Sequence, residues 1–322
     1  MLAAYAARTS PDDPLSALEV GDVPEPTVRD GWTTVTVRAA TLNHHDLWSL
    51  RGVGLPAERL PMVLGCDAAG VTDDGREVVV HAVVGGPDAP AGQAVAPDEP
   101  RSILSERYPG TLAQRVSVPT TNLVDKPPAL SWEHAACLPT AYLTAYRALF
   151  RSGTARPGQR VLVQGAGGGF AAAATLLGAA AGLDVTVTSH DAAKRERALA
   201  LGAAAAVEPG TRIPRVDLVL ESVGAATWGH TMRSVRPGGT VVVVGATSGD
   251  PAPMEITRLF FQEVTVAGAT MGSRDELAQL VAFVAGAGIA PPVDSSYALA
   301  DARSAVARLA GGAVFGKVVV RP

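Results

Sequence analysis

Three adjacent residues, Asn43, His44 and His45, carry side chains that can take part in catalysis. An imidazole titrates near pH 7 and can donate a proton to an enolate or an alkoxide. The amide of Asn43 can hydrogen-bond a carbonyl oxygen or a ribose hydroxyl. The alternative is that both histidines are structural and hydrogen-bond Asp46 or the backbone. The sequence leaves both hypotheses open.

A glycine-rich turn after the apolar run 161–163 is the second candidate. Its glycines permit φ > 0 and let a phosphate approach the backbone, and an alanine-rich helix follows whose N-terminus would face a pyrophosphate. The strict G-x-G-x-x-G pattern fails at Phe170, but the looser [GA]-x-x-G-x-x-[GA] fits residues 165, 168 and 171. The expected dinucleotide contacts are Gly165, Gly168, Gly169 and Phe170.

Strand-like and helix-like patterns alternate around this turn. Apolar runs at 184–189, 216–221, 240–245 and 264–269 predict further strands, which argues for a parallel, doubly wound sheet with ligands at its carboxyl edge. Residues 2–125 instead show short alternating strands and turns typical of antiparallel β structure. The fold class is therefore α/β, with a Rossmann doubly wound parallel sheet plus a β-rich domain that the C-terminal tail completes.

Composition limits the possible classes of protein. The chain has 322 residues, 47% of them hydrophobic, and a net charge of −4, which gives no sign of a nucleic-acid or membrane partner. Two cysteines, Cys66 and Cys137, exclude a disulfide framework and favour a reducing compartment. No signal peptide or membrane span is evident, so we expect a cytoplasmic enzyme with a small-molecule substrate. Residues 85–100 are predicted to form a surface loop.

Three segments resemble the medium-chain dehydrogenase/reductase superfamily, and in particular its zinc-free, quinone oxidoreductase-like branch. They are TLNHHDLW at 41–48, PMVLGCDAAG at 61–70 and LPTAYLTAYRAL at 138–149. The resemblance implies a GroES-like catalytic domain over 1–125 and 290–322 and a Rossmann domain over 126–289, with the active site in the cleft between them. It also implies a homodimer, for which 264–269 is the candidate edge strand.

The same resemblance bears on zinc. Zinc-dependent relatives carry a cysteine where Asn43 stands, a histidine where Cys66 stands, and a cysteine or acid where Thr140 stands. Zinc needs thiolate, imidazole or carboxylate ligands, and an amide and a hydroxyl are poor substitutes. Residues 85–109 also lack the cysteine cluster of the family's structural zinc site. We therefore expect no metal.

By resemblance, His45 lies where a proton relay often stands and His44 where a basic residue often approaches the cofactor pyrophosphate. Trp48, Cys66 and Tyr108 are candidates for the substrate pocket, although aromatic residues in such places more often serve packing. His134 and His230 fall on helical stretches and are expected at the surface.

The end of the second Rossmann strand predicts the cofactor. NAD-specific enzymes place an acid there, whereas this chain has Ser189 and His190, and Asp191 is better placed to cap the next helix. Lys194 matches a lysine that zinc-free relatives use on the 2′-phosphate, which favours NADP(H). Further cofactor contacts are expected from Thr140, Gly245, Ala246, Met271 and Lys317.

The leading hypothesis is a zinc-independent, NADPH-dependent oxidoreductase that reduces a quinone or an activated C=C by hydride transfer. Asn43 or a water would polarise the carbonyl, and His45 or solvent would supply the proton. Two alternatives stay open: a zinc-dependent alcohol dehydrogenase with unusual ligands, and a catalytically idle nucleotide-binding protein.

Overall fold

The structure is a computed structural model that describes residues 1–87, 89–93, 95, 98–250 and 254–322. Residues 88, 94, 96 and 97 of the predicted surface loop therefore lie outside the described residues. Among the residues described, no helix is both long and apolar enough to cross a membrane.

The strands and helices are numbered in chain order. The strands are β1 Leu2–Ala6, β2 Leu18–Asp22, β3 Trp32–Thr41, β4 Met62–Val63, β5 Asp67–Thr72, β6 Glu77–Val80, β7 Val83–Val84, β8 Ser102–Ile103, β9 Arg115–Pro119, β10 Leu123–Asp125, β11 Arg160–Val163, β12 Asp184–Thr188, β13 Ala205–Val207, β14 Val216–Glu221, β15 Val235–Val243, β16 Thr265–Gly268, β17 Val293–Ala298 and β18 Lys317–Arg321. The helices are α1 His44–Leu50, α2 Trp132–Ala136, α3 Leu143–Tyr146, α4 Gly169–Ala180, α5 Ala192–Ala200, α6 Trp228–Ser234, α7 Ile256–Phe261, α8 Arg274–Gly286 and α9 Ala302–Ala310.

The chain divides into two compact units. The β-rich unit is Met1–Ala141 with Ser273–Pro322, and the Rossmann unit is Tyr142–Gly272. The predicted domain boundaries, after residues 125 and 289, stay a prediction. Residues 126–141 and 273–289 group with the β-rich unit because α2 contacts β3 and β5 and α8 contacts β10.

In the β-rich unit, the main sheet has the order β10-β6-β5-β3-β18-β17, with β9 also paired to β3. The predicted alternation in β3 is present, because Val35, Val37 and Ala39 are buried. The C-terminal strand β18 pairs antiparallel with β3, so the tail belongs to this sheet. These pairings bring the start of β18 close to the ends of β3 and the start of β5, where the first candidate cluster lies.

In the Rossmann unit, every strand pair of the six-stranded sheet is parallel, and the order is β13-β12-β11-β14-β15-β16. Numbered within the unit, this is 3-2-1-4-5-6, the order of dinucleotide-binding Rossmann sheets. Central strands are buried as apolar runs, as parallel sheets covered on both faces require. The predicted fold class is confirmed.

The helical region from 132 to 152 is not one continuous α-helix. Ser131 caps α2 by accepting a hydrogen bond from the N–H of His134. Two π-helical segments, Leu138–Tyr142 and Arg147–Ser152, then flank α3. Such π turns are rare and occur often at functional sites, and the first one carries Thr140.

Candidate functional site

A buried ion pair forms the centre of the first cluster, which lies in the β-rich unit. Lys317 Nζ is 3.0 Å from Asp67 Oδ2, and their side chains are 3% and 0% exposed. Lys317 also donates to Leu42 O at 2.8 Å and to Asn43 Oδ1 at 2.6 Å. Its three ammonium hydrogens thus have three acceptors inside this unit, and the cofactor contact expected of Lys317 stays a prediction.

Asn43 is held in one orientation by this ion pair. Its Oδ1 accepts from Lys317, while its Nδ2 donates to Asp67 Oδ2 at 2.8 Å and lies 3.5 Å from Cys66 Sγ. Cys66 Sγ in turn lies 3.4 Å from Thr140 Oγ1. The structure therefore brings together Asn43, Cys66 and Thr140, the three positions that the resemblance matches to zinc ligands.

The chemistry of these three groups does not fit a zinc ion. Burial, followed by the charges of Asp67 and Asp46, raises the pKa of the Cys66 thiol well above its usual range. The other two groups, the amide of Asn43 and the hydroxyl of Thr140, are poor zinc ligands. The amide of Asn43 points its N–H groups at Asp67 and Cys66, and the Lys317 ammonium already supplies a positive charge beside its oxygen. Among the described residues, no group of three histidine, cysteine, aspartate or glutamate side chains could hold a metal ion.

Asp67 was not assigned a catalytic or positioning role from the sequence, yet it organises the cluster. Its Oδ2 accepts from Thr41 Oγ1 at 2.7 Å as well as from Asn43 and Lys317, while its buried Oδ1 has no hydrogen-bond partner in the described chain. Asp67 and Lys317 each open a buried strand of small or apolar residues. A charged residue at the start of a buried strand requires a buried partner of opposite charge. This pattern in the sequence could have identified Asp67 and Lys317 as a pair.

Helix α1 positions the two histidines. It begins at His44, and the Asp46 carboxylate ties its start down by accepting from Asn43 N at 2.8 Å and Gly65 N at 2.9 Å. His45 Nε2 lies 3.3 Å from Ser49 Oγ and 3.9 Å from Glu106 Oε1, so its ring contacts these residues. Desolvation, and then the charge of Lys317, lowers the pKa of His44, which favours its neutral form near pH 7 although the residue is partly exposed.

The two predicted pocket aromatics make packing contacts. Tyr108 is 5% exposed, and its ring centroid lies 4.9 Å from that of Trp32, with the Arg29 guanidinium 5.0 Å from the Tyr108 ring. Trp48 is partly buried and lies under the Arg51 guanidinium at 5.1 Å. Their roles in a substrate pocket stay predictions.

The second cluster lies at the carboxyl edge of the Rossmann sheet. Gly165 follows β11 with a φ of +101°, which a residue with a side chain rarely adopts, and its N–H donates to Thr188 Oγ1 at 3.1 Å. Gly168 is the N-cap of α4, and a Cβ built there would meet nothing within 4 Å. The first intrahelical hydrogen bond of α4 runs from Ala172 N to Gly168 O, so the N–H groups before Ala172 are not used within the helix. This open helix N-terminus fits a pyrophosphate.

The turn after β12 carries the residues that were predicted to contact the 2′-phosphate of the cofactor. Asp191 caps α5 by accepting from Lys194 N at 3.2 Å, so its predicted capping role is confirmed. Arg195 Nη1 donates to the carbonyl of Ser189 at 2.6 Å and to that of His190 at 3.2 Å, which places a second cation beside the predicted contacts. Ser189 stands where NAD-specific enzymes have an acidic residue that binds the ribose. Its hydroxyl accepts a hydrogen bond from Asp191 N.

The remaining predicted cofactor residues of this unit follow β15 and β16. Gly245 and Ala246 come directly after β15 and are partly buried. Met271 follows β16 with a φ of +49°, an uncommon conformation for a residue with a side chain, and its N–H donates to Thr144 Oγ1 at 3.1 Å. Their cofactor contacts stay predictions.

A buried polar network supports this edge and was missed by sequence reasoning. Glu221, fully buried at the end of β14, accepts from the N–H groups of Val223 and Gly224 and from the hydroxyls of Thr227 and Thr231. The carboxylate thereby shapes the turn after β14.

The predicted surface position of His230 is wrong, because this histidine is 6% exposed. Its Nε2 donates to Thr211 O at 2.9 Å, and its Nδ1 lies 3.1 Å from Gln164 Nε2. Burial lowers the pKa of His230, consistent with a neutral ring that accepts from Gln164.

Comparisons with known proteins agree with this architecture. Residues 29–128 match the family described as "Alcohol dehydrogenase GroES-like domain", and residues 167–286 match "Zinc-binding dehydrogenase". A solved structure described as an NAD-dependent alcohol dehydrogenase is 30% identical with a TM-score of 0.90, over 100% of both chains. Crotonyl-CoA reductase of Streptomyces collinus is 26% identical over 91% of this chain and 79% of its own length. Acryloyl-coenzyme A reductase of Sulfurisphaera tokodaii is 25% identical over 96% of this chain and 98% of its own length.

The glycine turn on a Rossmann sheet and the GroES-like unit define a dinucleotide-dependent oxidoreductase. The chain belongs to the medium-chain dehydrogenase/reductase superfamily, as the resemblance implied.

Proposed function

We propose that the chain is a zinc-independent, NADPH-dependent reductase of conjugated carbonyl compounds, with an enoyl thioester or enone as its substrate class. The observation that carries the proposal is the cluster of Asn43, Cys66 and Thr140 around a buried Lys317–Asp67 pair. This cluster has no zinc donor set, so it is suited to substrates that accept hydride without a Lewis acid.

When bound, the nicotinamide would supply a hydride to the electrophilic carbon of the C=C bond. The electron pair of that bond then moves towards the carbonyl oxygen, and a proton is added at the neighbouring carbon. Asn43 would bond the oxygen with the amide hydrogen that now points at Cys66, since a thiol sulfur is a weak acceptor and the contact is 3.5 Å long. His45, held near Ser49 and Glu106, is the candidate proton donor.

The Rossmann residues would bind and orient the dinucleotide. The open N-terminus of α4 and the turn at Gly165 suit the pyrophosphate, while Ser189, Lys194 and Arg195 suit a 2′-phosphate better than a bare ribose. The two enoyl thioester reductases among the relatives support an activated C=C as substrate. A quinone offers the same conjugated carbonyl chemistry and stays within the proposal.

The second candidate is a zinc-dependent alcohol dehydrogenase. The family description "Zinc-binding dehydrogenase" and the 30% identical alcohol dehydrogenase favour it. The donor set around Cys66 opposes it, because oxidation of a simple alcohol needs a strong stabiliser of the alkoxide.

One assay separates these functions. Loss of NADPH absorbance would be followed with crotonyl-CoA, a simple enone and a benzoquinone, and gain of absorbance with NADP⁺ and simple alcohols, each before and after exhaustive chelation. We expect chelator-resistant reduction of at least one conjugated substrate and poor turnover of alcohols. Zinc-dependent alcohol oxidation would establish the second candidate, and an absence of turnover with every substrate would favour an idle nucleotide-binding protein.

The proton donor has its own test. His45→Gln should lower kcat by roughly 10²-fold or more and remove one limb of the pH profile, if the imidazole supplies the proton. His134→Gln, on the partly exposed face of α2, is the matched control and should change neither. A change of less than about three-fold in kcat for His45→Gln would assign the proton to solvent.

A further inference from the structure

A basic cavity lies in the Rossmann unit outside both clusters. Its volume is about 750 Å³, within the range of small-molecule sites. Arginines from three separate segments line it: Arg212 and Arg215 from the loop before β14, Arg233 from α6, and Arg258 from α7. None of the predicted dinucleotide contacts of this unit is among the lining residues.

The cavity occurs where the crossover between strands lacks a helix. Residues 208–215 connect β13 to β14 as a loop, whereas such parallel crossovers usually contain a helix that covers the sheet. Ile213 of this loop packs against the core cluster that includes Trp228 and Met232. The loop is thereby held against the core, and the arginines on either side of Ile213 line the cavity next to α6.

The positive charges of the cavity are not balanced by carboxylates. In the part of the chain that the structure describes, Arg212, Arg215 and Arg233 form no ion pair, and Arg258 reaches only Glu255, at 3.8 Å. Other arginines of the same unit are paired, as Arg236 is with Asp217 at 2.7 Å.

Two further observations concern the polar groups that line the cavity. Arg258 Nε is buried without a hydrogen-bond partner among the described residues. Burial, and then the charge of Arg233, lowers the pKa of His230, which lines the same cavity. Guanidinium groups that line one cavity repel one another. The net charge of the chain is −4, so four arginines at one cavity do not reflect a generally basic protein. An anion would relieve this repulsion.

We propose that this cavity binds a phosphorylated anion with two or more negative charges, of the pyrophosphate class, at a site separate from the dinucleotide site. Guanidinium groups form paired, charge-assisted hydrogen bonds to phosphate oxygens, and four of them from three segments suit a ligand with more than one phosphate. The site stands independently of the reaction proposed above.

Pyrophosphate is the probe for the test, titrated calorimetrically into the full chain at low ionic strength, with and without saturating NADPH. The double variant Arg215→Gln/Arg233→Gln removes two exposed guanidinium groups of the cavity, and Arg156→Gln removes an exposed arginine of the same unit that does not line it. We expect one equivalent of pyrophosphate to bind, orthophosphate to bind more weakly, and the double variant to lose roughly 30-fold or more in affinity. Saturating NADPH and Arg156→Gln should leave the affinity unchanged within about two-fold.

Three outcomes would overturn the proposal. Failure of pyrophosphate to bind would mean that the arginines are simply solvated. Equal weakening by Arg156→Gln would mean that binding reflects general charge. Displacement of pyrophosphate by NADPH, with weaker NADPH binding in the double variant, would assign the arginines to the cofactor's own phosphates.

Discussion

Lys317 and Asp67 form an ion pair 3.0 Å long in which neither side chain exposes more than 3% of its surface. Removing two charges from water costs several kcal/mol for each ion, and their attraction offsets this only with good geometry and further hydrogen bonds. Leu42 and Asn43 accept from Lys317, and Thr41 and Asn43 donate to Asp67 Oδ2, whereas Asp67 Oδ1 has no hydrogen-bond partner among the described residues. The pair therefore holds Asn43 in place and is sensitive to loss of either partner.

Lys317→Met should destabilise the chain strongly, because it leaves the Asp67 carboxylate buried without its counter-charge. We expect a loss of about 3–5 kcal/mol in the free energy of unfolding, measured by urea denaturation. Adding Asp67→Asn to Lys317→Met should restore at least half of that loss, since the buried charge is gone.

An exposed ion pair provides the control. Arg76 and Asp125 lie 2.6 Å apart with side chains 45% and 79% exposed, so Arg76→Gln should cost less than about 1 kcal/mol. If Lys317→Met costs no more than Arg76→Gln, the buried pair does not stabilise the cluster as described.

Zinc should be absent from the working enzyme. Cys66 is the one good zinc ligand among the three matched positions, because Asn43 offers an amide and Thr140 a hydroxyl. We expect less than about 0.1 equivalent of zinc by elemental analysis of chelator-treated protein, with activity retained, and Cys66→Ser should cost little beyond local packing. Stoichiometric zinc whose removal abolishes activity and whose return restores it would contradict this.

The sequence predicted what depends on local pattern. Apolar runs separated by helices implied the parallel sheet, and the glycine spacing implied the turn at Gly165, because backbone conformation and burial follow from a few neighbouring residues. The three positions around Cys66 were predicted to be related only through the family resemblance, since they are 23 and 74 residues apart in the chain.

The buried polar partners could not be predicted in this way. Gln164 and His230 are 66 residues apart, and Lys317 and Asp67 are 250 apart. Hydrophobic periodicity indicates which face of a helix is buried, but it does not show which buried polar group will be satisfied by a distant one. His230 was therefore misplaced, and the role of Glu221 in shaping the turn after β14 was missed.

NADPH should bind more tightly than NADH if Lys194 and Ser189 hold the 2′-phosphate. Lys194→Ala should then weaken NADPH binding by roughly 1.5–3 kcal/mol, about ten-fold or more in Kd, and leave NADH binding unchanged. Fluorescence titration of both cofactors measures this, with Arg156→Ala as a control for general charge. Equal affinity for the two cofactors in the unmodified chain would rule out the assignment.

Stability should fall at alkaline pH through Cys137. Burial raises the pKa of this thiol from 9.0 to about 12, so between these values the folded state holds a proton that the unfolded state has lost. The unfolded state then binds fewer protons, and stability declines as pH rises, by up to about 1.4 kcal/mol per pH unit for this group.

Comparison with the Cys137→Ala variant separates the ionisation of this thiol from that of lysine and tyrosine side chains. The cost of Cys137→Ala in the free energy of unfolding should shrink by up to about 2 kcal/mol between about pH 8 and about pH 10.5, because the variant lacks the alkaline penalty. A cost that stays the same at both pH values would show that Cys137 ionises equally in the folded and unfolded chain.

A homodimer should form through the edge of the Rossmann unit. In the part of the chain that the structure describes, strand β16 has β15 as its single neighbour. Helix α7, just before it, exposes Ile256, Phe260 and Phe261 by 70%, 60% and 76%. An exposed apolar surface beside an unpaired strand edge favours association with a second copy.

Light scattering at micromolar concentration should give the mass of a dimer, and Phe261→Glu should shift it towards the monomer because a charge would be buried in the contact. Val53→Glu changes an isolated valine of the β-rich unit that is 57% exposed, and should leave the dimer intact. A monomeric mass for the unmodified chain would mean that this apolar edge is not a contact between copies.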